Sequence, residues 1–220
     1  MNYNQIISKI KSFYNPKNIE GMKHFGIDVS NAYGASMPEI RNIAKLAGKN
    51  HELAVKLWHS KIHEARILAT LVEEPELISR KQMQACANDF KSWDLCDQAC
   101  MNLFRKTKYA FKIIDNWAKS EKEFVKRAAF TLIATLAVHA KEKTDKDFEK
   151  YFPLIIKHST DERNGVKKAV NWALRQIGKR NAQLGLKAIM ISAQLKQSKN
   201  KVARWIGADA YRELVKKYKN

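Results

Sequence analysis

The sequence predicts an all-α chain of about twelve helices, packed in consecutive pairs as a helical-repeat solenoid, an α-α superhelix. Three observations lead there. Helix breakers are scarce, with 8 Gly and 4 Pro in 220 residues, against usual frequencies of about 7% and 5%. No stretch shows the apolar–polar alternation of a half-buried strand. Alanine-centred segments recur at intervals typical of helix-pair repeats.

Taken in order, the first landmark is Tyr14 to Ala35. With Pro16, Gly21, Gly26 and Gly34, it is expected to be the longest irregular segment. Ser36-Met37-Pro38-Glu39 then has the S-x-x-E capping box, with proline in the first turn. Asn50, Ser79 and Ser120 sit where helices are expected to begin, and Thr144 to Asp147 reads similarly before FEKYFPLIIKH. Gly48 and Gly178 sit where helices are expected to stop.

Stacking the alanine-centred segments exposes the repeat. They read HEARILA from His63, DQACMNL from Asp97, KRAAFTL from Lys126, KKAVNWA from Lys167 and KVARWIG from Lys201. Their central alanines are Ala65, Ala99, Ala128, Ala169 and Ala203, at spacings of 34, 29, 41 and 34. A small side chain there lets neighbouring helices approach closely. The residue two positions earlier is expected near the start of each helix and on one common face: His63, Asp97, Lys126, Lys167, Lys201. Three of the five are cationic, as a surface following a phosphate backbone requires. Asp97 stands out, because a carboxylate facing a polyanion costs affinity and needs a reason.

The net charge is +19, from 41 Lys and Arg against 22 Asp and Glu. The excess is uneven: net +5 over residues 1–110 and +14 over residues 111–220. From Arg163 onward there are 15 basic residues and two acids. A field of this kind draws polyanions and speeds their association. Neutralising about six phosphates would give a log K against log salt slope near −5. The length suits one domain, residues 1–220, with a sizeable core. No apolar run approaches the ~20 residues of a membrane span. The start, MNYNQIISKIKSF, lacks the apolar region of a signal peptide. Three close cysteines, Cys86, Cys96 and Cys100, do not make a disulfide framework. A cytoplasmic monomer with no membrane partner is therefore expected.

Around Asp97 the residue types form a chemical set. Trp93 precedes it by four positions, Arg127 falls at the next rung of the ladder, and Trp172 lies one turn into the following repeat. When a cationic base leaves a sugar, positive charge builds on the ring. A fixed carboxylate opposes that charge, and can also hold the attacking water. Indole faces cradle cations, and a guanidinium clamps a phosphate. The plain structural readings are core tryptophans, an Asp94–Asp97 pair favouring a helix N-terminus, and an ion-paired Arg127. Other signals are absent or poor: no G-x-x-x-x-G-K-[ST], no G-x-G-x-x-G and no G-x-S-x-G occur, and His63-Glu64 lacks the second histidine of H-E-x-x-H. The cysteines have no histidine at ligand spacing, so neither a metal nor a cofactor is expected.

The chain resembles the AlkD-type DNA alkylation repair proteins, a HEAT-like repeat DNA glycosylase family. The matching stretches are YGASMPEIRNIAK (33–45), LWHSKIHEARILA (57–69), SWDLCDQ (92–98), VKRAAF (125–130) and VKKAVNWALRQIGKRN (166–181). The resemblance implies a HEAT-like solenoid holding double-stranded DNA with alkylated bases. It implies hydrolytic excision of cationic alkylated purines, 3-methyladenine and 7-methylguanine, without a metal and without a deep base pocket. By motif, the family's catalytic aspartate falls on Asp97, its tryptophans on Trp93 and Trp172, and its arginine on Arg127. Lys126, Lys167, Lys168 and Lys201 are expected backbone contacts from the ladder. The alternative is a catalytically inactive nucleic-acid-binding scaffold of the same fold.

Overall fold

The structure, a computed structural model, describes residues 1–219. The described residues form no strand. They contain thirteen α-helices of seven or more residues, one four-residue α-helix and one 3-10 turn at Phe104–Lys106, against the twelve or so helices expected. Two compact units divide the chain, Met1–Ala110 and Phe111–Asn220.

The first unit holds α1 (Tyr3–Ser12), α2 (Pro16–His24), α3 (Met37–Ala47), α4 (His51–His59), α5 (His63–Val72), α6 (Arg80–Asn88) and α7 (Trp93–Asn102). Helices α4 and α5 pack as a pair, and α3, α5 and α7 lie side by side in that order. Ser36 and Glu39 close the anticipated capping box at α3, and Gly48 ends that helix at φ 72°. Asn50 caps α4 through the Leu53 N–H, and Ser79 caps α6 reciprocally with Gln82. The segment from Tyr14 to Ala35 is not wholly irregular. Asn15 accepts from the Asn18 N–H, Pro16 supplies a preformed first turn, and α2 results.

The second unit holds all but the first residue of α8 (Ala110–Ala118), with α9 (Glu123–His139), α10 (Lys146–Glu149), α11 (Phe152–His158), α12 (Asn164–Gly178), α13 (Ala182–Lys196) and α14 (Lys201–Lys219). Helix α12 packs on α9, α13 on α14, and α12 also on α14. Two expected signals shift here. Helix α9 begins at Glu123 rather than beside Ser120, whose hydroxyl instead receives the Lys122 N–H. Gly178 is the buried last residue of α12 and is glycine for packing, not for a left-handed stop. A Cβ there would lie 2.7 Å from the Ala188 methyl and 2.8 Å from Leu214.

The alanine register is the organising feature. Ala65, Ala99, Ala128 and Ala169 are fully buried and Ala203 is 1% exposed. Each sits where its helix meets a neighbour, and no larger side chain fits at such density without strain. The ladder residues, expected near the helix starts, fall at different depths. His63 and Lys201 are the first residues of α5 and α14, whereas Asp97 lies one full turn into α7.

Candidate functional site

In the first unit a cleft of about 450 Å³ opens among α2, α3, α5 and α7, within the size range of small-molecule sites. Methionine and isoleucine side chains, among them Met22, Met37, Ile40 and Met101, line much of it. Trp93, Asp94, Asp97 and His63 supply its polar part.

Helix α7 places these groups. Ser92 is its extended N-cap residue, so Trp93 opens the helix and Asp97 follows one turn later on the same face. The Trp93 indole N–H donates to the Phe25 carbonyl at 2.9 Å, which fixes the ring while leaving the residue 38% exposed. Asp97 is only 8% exposed, yet it lines the cleft.

Asp94 has a different duty. Its Oδ1 accepts from the Ser92 hydroxyl at 2.7 Å, and its Oδ2 lies 2.8 Å from His63 Nε2. Burial pushes the Asp94 carboxyl up, but the bonds from His63, Ser92 and the Leu95 N–H outweigh it and hold the group below the ordinary carboxylate range. Burial likewise pushes the His63 imidazole down. The Asp94 bond and charge, with Glu64 and Asp28 nearby, outweigh that and raise it. The pair ties α5 to the first turn of α7, the turn that presents Trp93.

A second clamp shapes the far wall. The buried Glu64 Oε1 accepts the Tyr33 N–H at 2.8 Å and the Gly34 N–H at 2.6 Å. Gly34 stands at φ 79°, and a Cβ on it would come within 2.3 Å of the Asn15 carbonyl oxygen. The Asn18 amide donates to the Gly34 carbonyl at 2.8 Å. Gly34, Glu64 and the pairing of His63 with Asp94 were not anticipated as parts of the site. An acid directly after a ladder residue, and a glycine just before a capping box, were the available signals.

In the second unit the anticipated residues take individual places. Arg127, on α9 and 6% exposed, donates from Nη1 to the Gly165 carbonyl at 2.6 Å, in the first turn of α12. The Gly165 N–H in turn reaches Glu123 Oε1 at 2.8 Å. Arg127 is therefore joined to the helix that carries the half-buried Trp172. Lys126 does not present a solvated ammonium as the ladder implied. It is 8% exposed, with Nζ 3.4 Å from Asp161 Oδ2, and the same carboxylate binds Arg163. The Arg163 bonds, outweighing burial, hold Asp161 down at about 2. Lys168 and Lys201 are exposed, and Lys167 is half-buried with Nζ 4.9 Å from the centre of the Trp205 ring. Burial pushes the Cys86 thiol up to about 12. Among the described residues no cluster of three or more His, Cys, Asp or Glu is arranged to hold a metal.

Helix pairs in alanine register, with a carboxylate recessed beside a fixed indole, define a helical-repeat protein bearing a cleft site. More particularly, the chain belongs to the DNA alkylation repair enzyme family, which matches it over residues 6–214. A solved structure described as "a new family of proteins related to the HEAT-like repeat DNA glycosylases with affinity for branched DNA structures" superposes with a TM-score of 0.81. The two are 16% identical, and the match covers 97% of this chain and 95% of that one. The fold is thus the HEAT-like repeat fold. An engineered protein, 15% identical with 98% of each chain covered, gives a TM-score of 0.45. No curated protein matches the chain.

Proposed function

We propose that this protein is a monofunctional DNA glycosylase hydrolysing the base–sugar bond of positively charged alkylated purines, 3-methyladenine and 7-methylguanine, in duplex DNA. The observation that carries the reading is Asp97, recessed in a cleft beside the anchored Trp93, in a member of the DNA alkylation repair enzyme family. In the proposed reaction the bond between the sugar C1′ and the base nitrogen breaks, and its electron pair leaves with the base, neutralising the base's charge. Water adds its oxygen to C1′ and gives up a proton. Asp97 opposes the cationic charge on the sugar as it develops and orients that water.

Two unit charges ~4 Å apart attract by about 4 kcal/mol at an effective dielectric of 20. Realised at the transition state, that is roughly a thousandfold in rate. Trp93 contacts the lesion nucleotide, while Arg127, buried and bonded to the Gly165 carbonyl, holds α9 to α12 rather than touching the DNA backbone. Lys167, Lys168 and Lys201 contribute to duplex affinity. The test is incubation of the protein with methylated duplex DNA, scoring release of free 3-methyladenine and 7-methylguanine.

The second reading is a DNA-binding scaffold without chemistry. The related protein's affinity for branched DNA favours it, as does the basic excess of residues 111–220. Binding of junction DNA with no base release would select it.

A further inference from the structure

The second unit carries a surface that excision chemistry does not use. On α14 the residues Lys201, Arg204, Trp205, Ala208, Arg212 and Lys216 are all exposed. Neighbours three or four residues apart put them along one helix face. At 1.5 Å per residue the stripe is about 22 Å long. It holds four cations and no acid. The acids of the helix lie off it: Glu213 is engaged by Arg175 and Lys179, and Asp209 is 3.9 Å from Arg175 while also holding Arg212.

Within this stripe Trp205 is 41% exposed. A large indole left in water is unusual for a residue type that buries most of its surface. Lys167 of α12 reaches over the ring, with Nζ 4.9 Å from its centre. Lys201, one turn before Trp205, reaches only a loose contact of 3.9 Å with Glu162, and both side chains are more than 70% exposed. Asn200 fixes the start of the helix by accepting the Val202 and Ala203 N–H groups, so the stripe sits on a firm end.

We propose that this face of α14 binds single-stranded DNA, with Trp205 stacking on an unpaired base while Lys201, Arg204 and Arg212 follow the phosphates. The charge pattern alone fits any polyanion. The indole narrows the occupant, because the bases of an intact duplex are stacked inward and offer no face to it. An aromatic platform flanked by cations is what sequence-tolerant single-strand binding uses. The stacking role of Trp205 stands independently of the glycosylase reading, while Lys167 and Lys201 serve both.

The experiment compares Trp205→Ala, Trp205→Phe and Lys201→Gln with the unaltered protein on three DNAs: a single strand, a duplex with a short single-stranded gap, and an intact duplex. Trp205→Ala is expected to weaken binding to the single strand and the gapped duplex by roughly tenfold, within the range for one base–aromatic stack. Its affinity for intact duplex stays within twofold, and Trp205→Phe recovers most of the loss. Lys201→Gln weakens all three and reduces each salt slope. Equal weakening of all three DNAs by Trp205→Ala, or no weakening of any, overturns the proposal. So does a loss that phenylalanine fails to restore. Base release from methylated duplex, read in the same preparations, reports separately on the glycosylase reading.

Discussion

Glu64 and Gly34, thirty residues apart, are joined by a 2.6 Å hydrogen bond from the glycine amide to the buried carboxylate. The bond holds the 33–36 bend against α5 where the backbone has positive φ and leaves no room for a side chain. Gly34→Ala introduces a Cβ 2.3 Å from the Asn15 carbonyl oxygen. It is expected to destabilise the first unit by about 2–4 kcal/mol. Chemical denaturation of the variant, followed by circular dichroism, measures this; a loss under ~0.5 kcal/mol would contradict the account.

Asp97→Asn keeps the size of the side chain and removes its charge. Release of 7-methylguanine is expected to fall by about a thousandfold, with duplex affinity nearly unchanged. Single-turnover excision alongside a binding titration separates the two effects. Retained excision would end the catalytic assignment of Asp97.

The His63–Asp94 pair makes stability depend on pH, with opposite signs at its two ends. The folded Asp94 is held below its ordinary value, so its contribution is present above about pH 4 and lost as pH falls through the folded value. The folded His63 is raised, so its contribution is complete below about pH 6.5 and lost as pH climbs through the folded value. Both contributions coexist between roughly pH 4 and 6.5. Thermal midpoints measured from pH 4 to 9 should decline on the alkaline side, and His63→Gln should flatten that decline.

Lys126 and Lys168 separate the ladder idea from its geometry. Lys168 is exposed, so Lys168→Gln is expected to reduce the salt slope of duplex binding by about one. Lys126 is already balanced by Asp161, so Lys126→Gln should leave that slope unchanged and lower stability instead. Binding isotherms at four salt concentrations read the slopes; a reduced slope for Lys126→Gln would restore it to the DNA face.

The sequence made the helical class, the repeat and the acid beside a tryptophan readable because each depends on local spacing. The recurring alanines are buried as expected, and the box at Ser36 closes as its residue types dictate. What escaped depends on distant partners. Nothing near Lys126 announces Asp161, 35 residues on, and nothing near Asp94 announces His63, 31 residues back. Helix α2 escaped because three glycines and a proline signal a bend. Here the proline serves the first turn, and only two of those glycines, Gly26 and Gly34, adopt positive φ.

The five buried alanines also bear on descent. Methyl groups at the helix contacts let the helices within each unit approach closely, while the outward faces between them are free to drift. Mutation can therefore rewrite most of such a chain and leave its architecture standing.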